Sequence, residues 1–205
     1  MIKIENITKK FDEKNIFENF NLIISTGELI AITGASGSGK TTLINMIGGL
    51  EECDSGNITI NDIEINKKNK VELYRNNISW LFQNFALVDE WTVFQNLVIA
   101  LKFKKYKSSK EHVIKEVLKK VGLEDKLKSK IFTLSGGEQQ RVSLARVMLQ
   151  DNNIILADEP TGSLDEENRN IVFDILKNMQ KNGKTVVIVT HDKELAKMCD
   201  RIVTL

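Results

Sequence analysis

Residues 34–41 read Gly34-Ala35-Ser36-Gly37-Ser38-Gly39-Lys40-Thr41, the pattern GxxxxGK[ST], directly after the apolar run Leu29 to Thr33 and directly before a segment of helical character reaching Ile47. Strand, glycine-rich turn and helix in this order are the context that a phosphate-binding loop requires. The glycines let the backbone curl so that successive N–H groups point inward at phosphate oxygens, and the helix N-terminus adds partial positive charge at the same place. Lys40 is placed to reach β and γ phosphates. The Thr41 hydroxyl can coordinate Mg²⁺, and Thr42 follows it in the first helical turn. A chance match in a chain of this length has a frequency below about 1%, so an incidental glycine-rich turn is set aside.

The rest of the composition narrows the setting. The 205 residues are 41% hydrophobic and 28% charged, a profile that fits one compact domain with room for a smaller attached lobe. The longest apolar runs, Leu97 to Leu101 and Val186 to Val189, fall far short of the roughly 20 residues that cross a bilayer. The N-terminus alternates like a strand instead of showing the basic-then-apolar order of a signal peptide, which gives the expectation of a cytosolic protein. Cys53 and Cys199 have neither metal-site nor disulfide spacing and read as buried free thiols. With 29 basic against 28 acidic residues the net charge is +1, so no nucleic-acid partner is indicated. Residues 102–130 depart from this balance, with eleven lysines against four acids. A basic face there, carrying Lys115, Lys119 and Lys120 opposite Val113, Val117, Leu118 and Val121, reads either as a solvated surface or as a patch beside anionic lipid.

Strands are expected over 2–8, 20–24, 29–33, 57–60, 78–82, 154–157, 185–190 and 202–205. Several are continuous β-branched runs suited to a largely parallel sheet covered on both faces. Helices are expected over 39–47, within 92–121, and over 137–149, 166–181 and 193–198. The alternation says α/β, and the helical stretch that interrupts it divides the single domain into a core of about 1–83 and 134–205 and an inserted lobe of about 84–133.

A second acidic cluster complements the glycine-rich loop. Ile154-Ile155-Leu156-Ala157-Asp158-Glu159 is an apolar strand ending in two carboxylates: Asp158 is placed for Mg²⁺ and Glu159 for the base that polarises an attacking water. Farther along lies Leu134-Ser135-Gly136-Gly137-Glu138-Gln139-Gln140-Arg141, which on its own is a helix start with Ser135 as N-cap and Glu138 three residues on as a capping box.

With that segment the chain resembles the ATP-binding-cassette (ABC) ATPases, matching their signature motif, and the resemblance covers nearly the whole length. It implies a P-loop NTPase fold with a RecA-like core, an N-terminal antiparallel β-subdomain and an inserted helical subdomain, and it implies ATP and Mg²⁺ as ligands. Ser135, Gly136, Gly137 and Glu138 would touch nucleotide. Gln83, in Trp80-Leu81-Phe82-Gln83-Asn84, matches the glutamine that meets Mg²⁺ and water. Ser163-Leu164-Asp165 matches the D-loop, and His191 the histidine that contacts the γ phosphate. Phe11 matches the position of the aromatic that stacks on adenine, usually tyrosine, with Phe17 as the substitute.

The resemblance further implies a head-to-tail homodimer with ATP at the interface and a separate membrane permease that holds the cassette against the inner face of the cell membrane. Phe85, Leu87 and Trp91 would lie in the groove where the permease docks. Phe82 to Leu87 and Ala157 to Asp165 look like the macrolide-exporter, lipoprotein-release and bacteriocin-export group, and the end at Leu205 suggests no C-terminal regulatory domain. An energy-coupling transport ATPase and a mechanical ABC ATPase that regulates a membrane partner without transport share these motifs, so both readings stand. A soluble DNA-repair or translation ABC protein would carry coiled-coil insertions or two cassettes. A kinase on the same loop is set aside by the signature segment.

Overall fold

The structure is a computed structural model that describes residues 1–12, 14–102 and 108–205. Among them, two sheets share one core. Strands β1 (Ile2–Phe11), β2 (Lys14–Ile24), β4 (Ser55–Ile60) and β5 (Ile63–Glu64) form an antiparallel sheet in the order β2-β1-β4-β5. Strands β3 (Leu29–Thr33), β6 (Ile78–Leu81), β7 (Ile154–Asp158), β8 (Thr185–Val189) and β9 (Arg201–Thr204) form a parallel sheet in the order β6-β7-β8-β3-β9. The expected α/β class is therefore present, with its antiparallel and parallel portions in separate sheets.

Period-two alternation divides the buried residues of the parallel strands between two packing layers. Ile154, Leu156, Val187 and Val189 face the layer that holds α1 (Lys40–Ile47) and the antiparallel sheet. Ile155, Ala157, Val186 and Ile188 face the opposite layer, where α6 (Glu166–Lys181) contributes Val172, Phe173 and Leu176. Helix α7 (Lys193–Lys197) adds Leu195 to that layer. With both faces covered, polar groups concentrate where each strand runs into its following loop. At β6, the Trp80 and Phe82 rings stack at 5.0 Å and brace the strand end just before Gln83.

A third apolar cluster joins α3 (Val93–Val98), α4 (Lys110–Lys120) and α5 (Gly136–Gln150) through Val93, Leu97, Ile114, Leu118, Val142 and Leu149. Helix α5 also sends Leu144 and Val147 into the layer against the parallel sheet, so it belongs to both bodies. The helix expected within 92–121 is interrupted: α3 has a capping box between Thr92 and Gln95 and gives way to a 3₁₀ turn at Ile99–Leu101, and α4 starts anew on Ser109. Neither β5 nor α2 (Lys70–Asn76), which buries only Leu73, was expected, nor were the 3₁₀ turns at Glu124–Lys126 and Ile131–Thr133.

The lysine-rich stretch is more neutralised than its sequence suggests. Lys115 pairs with Glu111 at 2.7 Å, Lys130 with Glu90 at 3.5 Å and Lys126 with Glu138 at 3.5 Å, while Lys104, Lys105 and Lys107 lie outside the described residues. Lys115, Lys119 and Lys120 are exposed on α4, opposite the buried Ile114 and Leu118. Cys53 and Cys199 are free thiols, but half-buried where full burial was expected. Burial pushes the Cys199 thiol up to about 11. Among the described residues no helix is long and apolar enough to cross a membrane.

Candidate functional site

The glycine-rich loop connects the end of β3 to the start of α1, and its glycines meet backbone and steric demands. Gly34, Gly37 and Gly39 have φ of 147°, 76° and 97°, a region that side-chain-bearing residues avoid. A Cβ on Gly39 would come within 2.5 Å of Ile16 Cγ2 and 2.9 Å of Phe17 Cζ, so the loop can lie against β2 only with glycine there. Gly39 is also the N-cap of α1 and provides no side-chain acceptor, which leaves the first-turn N–H groups to an incoming anion. Lys40 Nζ donates to the carbonyls of Gly34 at 3.0 Å and Ala35 at 2.8 Å, which folds the ammonium over the loop.

Four strand ends converge on one cavity of about 480 Å³. Its lining includes Ser36, Gly37, Gly39, Lys40, Thr41 and Thr42 from the loop, Gln83 after β6, Glu159 after β7 and His191 after β8. Glu159 holds φ of 45°, a strained conformation for a non-glycine residue. It is fixed there by its own N–H donating to the Val189 carbonyl at 2.9 Å and by the Gly162 N–H donating to its carbonyl at 3.2 Å. His191 Nδ1 lies 3.0 Å from Glu159 Oε1, and the His191 backbone N–H donates to Oε2 at 3.4 Å. The base candidate and the histidine therefore form one unit.

Asp158 sits deeper, and its Oδ1 is buried with no hydrogen-bond partner. Burial first, and then the neighbouring Glu159, push its carboxyl above the usual range, partly offset by the Thr41 hydroxyl and by Lys40. An unpartnered carboxylate oxygen beside a threonine hydroxyl is a fitting donor pair for a hard cation. Among the described residues no group of three or more His, Cys, Asp or Glu side chains forms a metal cluster, so a cation here would draw most of its oxygens from phosphate and water.

The remaining expected residues lie elsewhere. Ser135, Gly136, Gly137, Glu138, Asp165 and Phe11 are not part of the cavity lining. Ser135 and Glu138 form the expected capping box: the Ser135 N–H donates to Glu138 Oε2 at 2.8 Å and the Glu138 N–H donates to Ser135 Oγ at 3.3 Å. The Ser135 N–H, aided by Lys126, holds the Glu138 carboxyl below its ordinary value. Asp165 caps α6 and accepts from Asn168 Nδ2 at 2.9 Å, while Asn168 Oδ1 accepts from Arg141 on α5. A Cβ on Gly137 would lie 2.5 Å from the Asn168 side chain, which joins the start of α5 and residue 165 into one cluster.

Phe11 is 45% exposed beneath Lys9 Nζ, 4.9 Å from the ring centroid. Phe17, the substitute, is buried under Gly39 and has no face for a base. Lys14 and Ile16 line the cavity instead and were not singled out in the sequence, since only the register of β2 against the loop brings them there. A larger cavity of about 570 Å³ beyond the end of α1, lined by residues such as Cys53 and Ile65, shares none of these groups.

Comparison with known proteins agrees with this geometry. A family model described as "ABC transporter" matches residues 17–162. The chain is similar to a probable ABC transporter ATP-binding protein, PEB1C, of Campylobacter jejuni, with 42% identity over 99% of this chain and 86% of that protein. It is similar to the lipoprotein-releasing system ATP-binding protein LolD of Francisella tularensis, with 37% identity over 100% of this chain and 93% of that one. Among solved structures it resembles the dimeric structure of MJ0796, a bacterial ABC transporter cassette, with TM-score 0.90 and 37% identity, covering 100% of this chain and 94% of that one. A second dimeric structure of MJ0796, a post-hydrolysis state bound to ADP and Pi, gives TM-score 0.90 at 36% identity over the same shares of the two chains.

The buried Asp158 charge has a cost in the absence of ligands. Because its folded carboxyl keeps a proton at a pH where the unfolded chain has released it, the group favours folding most below the ordinary value of 3.8 and loses that contribution as pH rises through the raised value. Asp158→Asn should therefore unfold at a higher temperature than wild type at pH 7 without nucleotide or metal, with the gap narrowing on acidification. Differential scanning calorimetry across pH checks this, and a lower midpoint for the variant at pH 7 would contradict it.

Proposed function

The chain belongs to the ABC transporter family, and from that premise we propose that it is the ATP-hydrolysing, energy-coupling subunit of a bacterial transporter whose permease is a separate chain. The carrying observation is the convergence of the glycine-rich loop, Gln83, Glu159 and His191 on one cavity. The loop N–H groups and Lys40 bind the phosphates, with Lys40 exchanging the Gly34 and Ala35 carbonyls for phosphate oxygens. Thr41, Asp158 and Gln83 would hold Mg²⁺, which supplies charge neutralisation at the β and γ phosphates.

Glu159 accepts the proton of the attacking water as its oxygen bonds to the γ phosphorus and the bond to the β-γ bridging oxygen breaks, giving ADP and phosphate. His191 fixes the Glu159 carboxylate and reaches the γ phosphate from the other strand end. Donors from the Ser135–Glu138 segment and Asp165 lie on a separate face of the same chain. A second copy, placed head to tail, would deliver them to the open side of the cavity and complete two equivalent sites.

The transported class we infer is a peptide, bacteriocin or lipophilic compound, on the strength of the Phe82 to Leu87 and Ala157 to Asp165 segments. The permease would seat where the helical lobe meets the core. A groove lined by Val71, Tyr74, Arg75, Ile99, Ala100 and Arg146 lies there; the expected docking residues Phe85, Leu87 and Trp91 are outside its lining, Leu87 packing against the helical cluster and Trp91 standing exposed. Docking places the cassette at the inner face of the membrane.

Glu159→Gln keeps the side-chain shape and removes the base. It should bind ATP, lose turnover by about 10²- to 10⁴-fold, and accumulate as an ATP-bound dimer in gel filtration; wild-type turnover would remove Glu159 from the role. Trp91→Glu, at a side chain 39% exposed and outside the cavity lining, should leave basal turnover of the isolated chain near that of wild type and abolish stimulation by the reconstituted permease. A chain that no longer folds would show instead that Trp91 packs the interior of the lobe.

A further inference from the structure

The segment that follows Gln83 takes an unusual path. Phe85 and Ala86 are consecutive non-glycine residues with φ of 60° and 49°, a left-handed conformation that side-chain-bearing residues adopt only when something holds them there. Besides the Phe85 N–H donating to the Phe82 carbonyl at 3.1 Å and the Ala86 N–H to the Asn84 carbonyl at 2.6 Å, what holds them comes from α5. Arg146 donates through one terminal nitrogen to the Phe85 carbonyl at 2.8 Å and through the other to the Ala86 carbonyl. Ser143, one turn earlier and fully buried, donates to the Phe85 carbonyl at 3.1 Å, and Arg146 also donates to Ser143 Oγ at 3.2 Å. Farther along, Asn96 closes the segment by accepting from the Val88 N–H at 2.8 Å and donating to the Val88 carbonyl at 3.1 Å.

This is a costly use of an arginine. Its guanidinium is half-buried, which pushes its pKa down, and among the described residues no carboxylate lies within ion-pair distance of it. A charge removed from water without a counter-charge is expensive, and here its donors go to two carbonyls in a strained turn, a planar fork that lysine cannot reproduce. The same side chain lines the groove with Val71, Tyr74 and Ile99. Its helix begins at Gly136, just after the capping residue Ser135 and ten residues before Arg146, or roughly 15 Å at the α-helical rise.

We propose that Arg146 is a positioning residue for ATP hydrolysis: by gripping the Phe85 and Ala86 carbonyls it sets the left-handed path that delivers Gln83 into the cavity beside Glu159, and it ties that path to the helix whose start is the Ser135 to Glu138 segment. The inference rests on the hydrolytic reading of the cavity. Because Arg146 forms part of the wall of the groove, an occupant of the groove would bear directly on the Gln83 segment. The Gln83 of one site would then move with the signature segment that serves the other.

The test uses the full chain, with nucleotide affinity, kcat and backbone amide exchange measured in parallel. Arg146→Met keeps the stem and removes the donors. It should bind ATP with wild-type affinity, since the glycine-rich loop is untouched, lose kcat by about tenfold or more through displacement of Gln83, and show faster exchange at amides 84–88. Adding Ala86→Gly should recover at least about threefold of that loss, because glycine holds the left-handed path without the clamp. Simple loss of packing would not be repaired by a glycine. Wild-type kcat and unchanged exchange in Arg146→Met would overturn the proposal, as would a kcat loss that Ala86→Gly leaves in place. If Arg146→Met does not fold, Ser143→Ala removes a single bond to the same carbonyl and must show a smaller kcat loss with the same rescue; no loss overturns the proposal. Should wild type itself turn over no ATP, the hydrolytic reading has failed separately, and the amide exchange of the two variants still decides whether the clamp holds the segment.

Discussion

The field of unpaired backbone N–H groups at the start of α1 is the constraint around which the rest of the molecule is arranged. A helix start capped only by Gly39 leaves its donors unsatisfied until an anion arrives, and the loop before it is curled so that no side chain can fill the space. Each neighbouring feature answers that field. Lys40 adds a positive charge that rests on the Gly34 and Ala35 carbonyls. Asp158 supplies an oxygen without a protein partner, and Glu159 is held in a strained conformation against His191. Such an arrangement sacrifices stability for readiness, as expected where function sets the geometry.

The parallel sheet makes this affordable. Its central strands are buried on both faces by alternating residues that divide between two layers, and the four strand ends that bear the chemistry therefore share one edge. The chemistry of that edge was legible in the sequence wherever the backbone demands a residue type. Glycines at positive φ and a carboxylate pair ending an apolar strand each leave a local trace, as does the serine-glutamate capping box that lies away from the cavity. Elements α2 and β5 left little, because α2 buries only Leu73 and β5 spans two residues.

Contacts between distant segments were not legible. Lys14 and Ile16 line the cavity through the register of β2, and the aromatic alternative Phe17 is buried by that same register. Asn168 fills the space that Gly137 leaves, and Arg146 grips a loop 60 residues away in sequence. None of these pairings has a spacing signature, since each depends on where α5 and α6 come to lie. Neutralisation of Lys115, Lys126 and Lys130 by Glu111, Glu138 and Glu90 likewise tempers what the lysine count alone suggests.

Within one chain the glycine-rich loop with Gln83, Glu159 and His191 lines the cavity, while Ser135 to Glu138 and Asp165 cluster around Asn168 outside that lining, and the proposed function gives both sets to the nucleotide. The account therefore makes catalysis a property of two chains and not of one. The most direct measurement is ATP turnover per subunit over a dilution series that crosses the monomer–dimer transition, followed in parallel by light scattering. Turnover per subunit should rise with concentration and level off as the dimer fills. Constant turnover per subunit from the fully monomeric to the fully dimeric range would contradict the account.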